Sequence, residues 1–357
     1  MKLNILHITP DFNYTCGRSY YVFLLLKYLN LHKHNAILLT NGGDSLERVE
    51  KHNIPAVIIK SLNSKNPVAF AKNLRVLKKL LEEKNIDIIH SHHRYSELLA
   101  VQASRLYSKK KVKSVFTSLS LVGRRYNIEY RSDKIIAVSK TIKKMLIERF
   151  KVSEKKISVI HNFTDTEELI QPGILDKEKN KKYFNILSIG RFHKEKNFEL
   201  LLRALYILND NLIKLTLIGE GDRFKYYKNY IDKYKLNVEL KEPQKDLSDY
   251  FSIADLCVLP SVKDPFPNFM LQSGLHKKPF IGSKTDGIAE LIIDNHNGFL
   301  FESGNETQLA QKIDFLKSNK ELAKKCADNL HNEVIKGYTQ ETIIPKIEKI
   351  YRDLIET

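Results

Sequence analysis

The stretch Tyr183–Leu205, YFNILSIGRFHKEKNFELLLRAL, decides how the chain is read. Tyr183 to Ile189 are mostly large and apolar, the pattern of a strand covered on both faces. Gly190 ends the run. Arg191, His193, Lys194 and Lys196 then crowd around one acid, Glu195, and an amphipathic helical pattern follows. A strand that opens through glycine onto positive charge and a helix start is built to receive an anion.

Working outward, the same alternation of strand and helix runs along nearly the whole chain. Upstream, Leu3–Thr9, Ala36–Thr40, Val57–Lys60, Asp87–His92, Val112–Thr117, Lys134–Val138 and Ser158–His161 read as strands, with helical patterns such as Val68–Glu83 between them. Downstream of Ile189, Lys214–Ile218, Val238–Leu240, Leu256–Leu259 and Phe280–Gly282 repeat the pattern. Between the halves, Gln171-Pro172-Gly173 to Lys182 is polar and reads as a linker. The expected fold class is α/β, with two Rossmann-like doubly wound domains facing a central cleft. Residues 1–168 form the first domain and 183–340 the second. The terminal helix, about 341–357, is expected to pack back on the first.

Composition limits the function classes. The chain has 357 residues, 42% hydrophobic and 10% aromatic, as in a folded soluble protein. No apolar run reaches the roughly 18 residues of a membrane span, and the first residues are too short and polar a run for a signal peptide. Three scattered cysteines, Cys16, Cys257 and Cys326, match no metal spacing and suit a reducing cytoplasm. Residues 1–170 hold 30 Lys and Arg against 15 Asp and Glu, which leaves only +2 of the net +17 for the rest. The densest parts are Lys109-Lys110-Lys111-Val112-Lys113 and Arg124-Arg125 with Arg131. Such charge suits a solvated surface, an anionic membrane, a phosphorylated acceptor or nucleic acid. Nucleic acid also calls for aromatics interleaved with the lysines, and only Tyr107 stands near them.

Four strand ends of the second half carry the candidate chemistry. They are Gly190-Arg191 through Lys196-Asn197, Gly219-Glu220-Gly221-Asp222, Pro260 through Asn268, and Ser283 through Gly287. An arginine fork and a lysine point charge are natural partners of a diphosphate. Glycines let the backbone approach, and Asp264 and Gln272 suit sugar hydroxyls.

These blocks resemble the retaining glycosyltransferases with the GT-B fold, the group 1 family. Gly190-Arg191 with Lys196-Asn197 is similar to its phosphate motif, Pro260 through Asn268 to its donor loop, and Gly287-Ile288-Ala289-Glu290 with Asn297-Gly298-Phe299-Leu300 to the block after it. In the first half, Cys16-Gly17-Arg18-Ser19 takes the place of the glycine-rich loop, while Ile135 through Ser139 and Val159 through Phe163 also fit. The resemblance implies transfer of a sugar, with retention, from a nucleotide diphosphate sugar such as a UDP-sugar to a cell-envelope glycan or lipid-linked acceptor. It assigns catalysis to Arg191, Lys196 and Asp264, and donor binding to Gly17, Gly190, Gly219, Asn268, Phe269 and Gln272. No D-x-D pair occurs, so no metal or other cofactor is expected and the protein's own cations must steady the leaving diphosphate. The expected place is the cytoplasm, with the basic half at the inner face of the plasma membrane.

Two departures matter. The family's paired glutamates, separated by seven residues, are Asp264 and Gln272 here. Where many members have a histidine two residues after a threonine, this chain has Thr117-Ser118-Leu119. The substitutes are His92, the expected catalytic imidazole, and His93. The rival readings are a non-catalytic relative that binds nucleotide sugar or a membrane partner, and a nucleotide-sugar epimerase.

Overall fold

The computed structural model describes residues 1–106, 110–123, 129–167 and 182–356. Two compact units emerge: Met1–Asn162 together with the chain from Gln340 onward, and Phe163–Thr339.

The first unit holds seven strands: β1 (Asn4–Ile8), β2 (Asn35–Thr40), β3 (Ala56–Ile58), β4 (Ile88–Ser91), β5 (Lys113–Ser118), β6 (Lys134–Ala137) and β7 (Ile157–Val159). Their order is β3-β2-β1-β4-β5-β6-β7, and every pairing is parallel. Helices α1 (Gly17–Leu31), α2 (Leu46–Lys51), α3 (Pro67–Glu83), α4 (Arg94–Leu106) and α5 (Lys140–Glu148) lie between them. Tyr20 through Leu26, Tyr28 and Leu29 of α1 are all buried, so this helix is apolar nearly all round and sits inside the unit. The strand order reverses between β1 and β4, the switch point beyond which such sheets bind ligands.

The second unit repeats the plan with β8 (Phe184–Ile189), β9 (Ile213–Ile218), β10 (Val238–Lys241), β11 (Leu256–Leu259), β12 (Phe280–Ser283) and β13 (Phe299–Phe301). They run β10-β9-β8-β11-β12-β13, again all parallel, with the switch between β8 and β11. Its helices are α6 (Phe198–Leu208), α7 (Phe224–Tyr234), α8 (Ser248–Ile253), α9 (Asn268–Leu275), α10 (Ile288–Leu291), α11 (Glu306–Ser318) and α12 (Lys320–Gly337). The opening stretch is therefore β8, its turn and α6, on the switch side of the sheet. β13 is absent from the sequence reading because three residues carry no periodicity. Only its pairing with β12 defines it.

The last helix, α13 (Gln340–Ile355), belongs to the first unit. It buries Ile343, Ile344, Ile347 and Tyr351. The Tyr351 hydroxyl lies 2.6 Å from His90 Nδ1, and Glu348 Oε1 lies 2.8 Å from His32 Nδ1. The boundary falls earlier than residue 168. Thr164 bridges Thr339, and its N–H donates to the Tyr338 carbonyl at 3.0 Å, tying this segment to the second unit. The linker after Gln171, and the basic residues Lys109, Arg124 and Arg125, lie outside the described residues.

Candidate functional site

In the second unit, β8 delivers the chain to Gly190, and one 3-10 turn, Lys194–Lys196, precedes α6. Asn197 takes a left-handed conformation, φ 51°, to join turn and helix. Arg191 is exposed and makes no side-chain hydrogen bond or ion pair among the described residues. Its fork is open to a ligand. Lys196 Nζ lies 2.5 Å from Asp264 Oδ2.

Asp264 sits in the loop between β11 and α9 and is only 6% exposed. Oδ2 also accepts from the Ser261 hydroxyl at 3.3 Å, and the Asp264 N–H donates to Asp286 Oδ2 at 3.2 Å. Asp286 stands at φ 37° after β12. Burial pushes its carboxyl above the ordinary value, and the Asp264 N–H and then Lys263 pull it back. A second tie joins the loops: the Val262 N–H donates to the Glu195 carbonyl at 2.9 Å. The strand ends after β8, β11 and β12 are thus one hydrogen-bonded assembly.

Two glycines make this close approach possible. A Cβ on Gly287 would stand 1.7 Å from the Pro265 carbonyl oxygen, and one on Gly219 would stand 2.0 Å from that of Gly190. Gly219, expected at the donor, thereby acts by letting two strand ends touch. The Phe269 ring is 5% exposed and packs on Phe251, 5.9 Å between centroids, and on Phe280. An aromatic side chain in this core cannot face a ligand, so its backbone is all it offers. Asn268 begins α9 and Gln272 lies one turn further along the same helix face. The N-cap residue of α9 is Pro267, which makes no side-chain cap bond.

In the first unit the matching position follows β1. Gly17, which begins α1, is exposed. Arg18 is held by Asp11 Oδ1 and by a bond from Nε to Thr9 Oγ1 at 3.0 Å. After β4 come the two candidate histidines, and the structure separates them. His92 is 2% exposed and turns inward, whereas His93 is exposed at the start of α4. Alternation is the reason: His90 and His92 share one face of the strand and His93 takes the other. Loss of solvent and then the Arg18 guanidinium push His93 down to about 4, against the pull of Asp11, so it is neutral at pH 7.

Inside lies a histidine cluster that the sequence reading missed. His7 pairs with His90 across β1 and β4, and His7 Nδ1 is 3.0 Å from His92 Nε2 with the rings stacked at 7°. His90 Nε2 lies 2.7 Å from the Thr117 hydroxyl. Burial pushes His7 down to about 3 and carries His90 and His92 well below the ordinary value. Among the described residues, His7 Nε2 and His92 Nδ1 have no hydrogen-bond partner. The alternation of His90 and His92, with His7 on a neighbouring strand, was the available signal.

The three imidazoles place ligand atoms within 4.8 Å of one another, close enough for a metal ion by geometry. Neutral imidazoles are ordinary metal ligands, and here they are fully buried with Arg18 adding positive potential at His92.

Residues 174–333 match the model for glycosyl transferases group 1, and residues 17–168 match that for glycosyltransferase family 4. An uncharacterised glycosyltransferase of Methanocaldococcus jannaschii is 28% identical over 327 residues, 87% of this chain and 88% of that one. The UDP-Gal:alpha-D-GlcNAc-diphosphoundecaprenol alpha-1,3-galactosyltransferase of Escherichia coli is 24% identical, covering 80% of each chain. A glycosyltransferase crystal structure from Rickettsia africae superposes with a TM-score of 0.86 at 25% identity, over 100% of this chain and 99% of that one.

Proposed function

The chain belongs to the group 1 glycosyltransferases and has their GT-B architecture, and we propose that it moves a sugar from a UDP-sugar to a lipid-linked or other cell-envelope glycan with retention. The carrying observation is the assembly after β8 and β11, where Arg191, unpaired among the described residues, shares a turn with Lys196, whose Nζ is 2.5 Å from Asp264 Oδ2. In this reading Arg191 and Lys196 hold the diphosphate, and the first N–H groups of α9 add to the same field. Asp264 meets the donor sugar, and Gln272 meets the ribose hydroxyls.

The acceptor hydroxyl attacks the anomeric carbon on the face from which the diphosphate leaves. The carbon–oxygen bond to phosphate breaks, and a diphosphate oxygen takes the hydroxyl proton. Two fixed cations stabilise the charge that grows there, each worth about 2–4 kcal/mol. No metal is required. If an imidazole assists at the first unit, His93 is the one the geometry favours, because His92 is enclosed. The acceptor class is supported by the Escherichia coli relative, whose name specifies a diphosphoundecaprenol-linked sugar. Among the described residues no helix is long and apolar enough to cross a membrane. Contact with the bilayer is therefore proposed as peripheral, through the basic first half.

The test is transfer from a panel of nucleotide sugars to undecaprenyl-diphosphate-linked sugars, with and without a chelator, and with the product's anomeric configuration read by NMR. Retained configuration, unaffected by chelator, is expected. Inversion or strict metal dependence would overturn the mechanism. Nucleotide binding without transfer to any acceptor would favour a non-catalytic relative.

A further inference from the structure

An open pocket of about 440 Å³ lies in the first unit, where the chain enters β5 and β6, opposite the strand ends just described. Its walls come from the last turns of α4 and from the chain entering β5 and β6. These are the starts of the strands, while Arg18 and His93 stand beyond the other ends. The pocket is therefore separate from the proposed transfer site.

Four cations line it, Arg105, Lys110, Lys111 and Arg131, against one acid, Asp133. Lys110 is committed elsewhere, with Nζ 2.9 Å from Asp87 Oδ1 and 2.7 Å from the Asn85 carbonyl. Asp133 is committed too. Its Oδ2 accepts from the Ser114 N–H at 2.7 Å and from the Ser114 hydroxyl at 2.8 Å. That leaves Arg105, Lys111 and Arg131, all exposed and none in an ion pair among the described residues. The surplus is felt nearby. Burial and then Lys111 push the Lys113 ammonium down, against the pull of Asp133. Two buried apolar side chains, Val101 and Val112, line it as well, with Ser104 and Ser114.

We propose that this pocket is a second anion site that takes a phosphate ester with a short carbon body. Two arginine forks and an ammonium match phosphate oxygens, and the valine side chains receive the carbons. The volume is that of a small-molecule site. The source is either the glycerophosphoryl head of an anionic membrane lipid or a free phosphate ester. Only the lipid source rests on the membrane reading given above.

The experiment uses the full chain and three probes: sn-glycerol 3-phosphate by calorimetry, phosphatidylcholine vesicles with and without phosphatidylglycerol by co-sedimentation, and UDP as a check on the other unit. Arg105→Glu, Lys111→Glu and Arg131→Glu are combined in one variant. A control reverses Lys72, Arg75 and Lys78 on α3, which changes the net charge equally. The pocket variant should lose at least about tenfold in binding to the ester or the anionic vesicles, the effect of reversing close charges in partial solvent, and the control should lose little. UDP affinity should hold in both, which separates failure here from failure of the transferase reading. Ester binding without vesicle binding identifies a free ester, and vesicle binding that the pocket variant alone abolishes identifies the lipid. Equal losses in the two variants mean diffuse attraction and overturn the proposal, as does a wild-type protein that binds neither ester nor anionic vesicle.

Discussion

Asp264→Asn should tighten the binding of UDP while slowing transfer from a UDP-sugar. Asp264 and Lys196 are 2.5 Å apart, and Asp264 is 6% exposed. A diphosphate arriving at Lys196 must share that ammonium with the carboxylate and tolerate its negative charge. Two unit charges about 6 Å apart interact by roughly 1.4–2.8 kcal/mol at an effective dielectric of about 40 to 20. Asparagine keeps the size and removes the charge. Allowing for solvent at the partly exposed lysine, the gain for UDP is about 1–2 kcal/mol, or roughly 5–30-fold in Kd. Transfer should move the other way, because the residue expected to meet the donor sugar has lost its charge. Calorimetry with UDP on wild type, Asp264→Asn, Lys196→Ala and the double variant closes a thermodynamic cycle. Lys196→Ala alone should weaken UDP, and in its background Asp264→Asn should help less. The reasoning fails if Asp264→Asn weakens UDP or if the two changes are additive within about 0.3 kcal/mol.

Acid should destabilise the first unit through its histidine cluster. Burial holds His7, His90 and His92 below their unfolded values, so the unfolded chain binds more protons below about 6.5 and stability falls as pH drops. Each histidine contributes a slope of up to about 1.4 kcal/mol per pH unit, and urea unfolding from pH 7.5 to 5 should lose one such share in His92→Gln. Gly287→Ala should distort the donor loop, since its Cβ has no room beside the Pro265 oxygen, and should be read as lost UDP affinity with a lower melting temperature. At Gln272, replacement by Leu should weaken UDP-sugar binding by about 1 kcal/mol, the scale of one hydrogen bond, while replacement by Glu should cost less. Equal affinities in the two Gln272 variants would remove this residue from the ribose.

Much of the fold is legible in local sequence because its cause is local. Runs such as Ile186-Leu187 and Leu256 through Leu259 have only one stable use, a parallel strand covered on both faces. Helical periodicity fills the gaps, and glycine with positive charge after Ile189 marks a basic turn at a strand end. The chain's own pattern therefore determined two doubly wound units, the position of the basic turn after β8, and the return of the terminal helix to the first unit. Other features depend on residues far apart in sequence. Lys196 meets Asp264 across 68 positions, because strand order sets β8 beside β11. Strand alternation places His90 and His92 on one face, but only α1 and α13, through Tyr21 and Tyr351, make that face the inside and leave His93 outside. Arg105, Lys111 and Arg131 likewise gather at one pocket only because β5 and β6 are neighbours. Periodicity states which way a side chain points along its own element, and tertiary packing decides what it meets there.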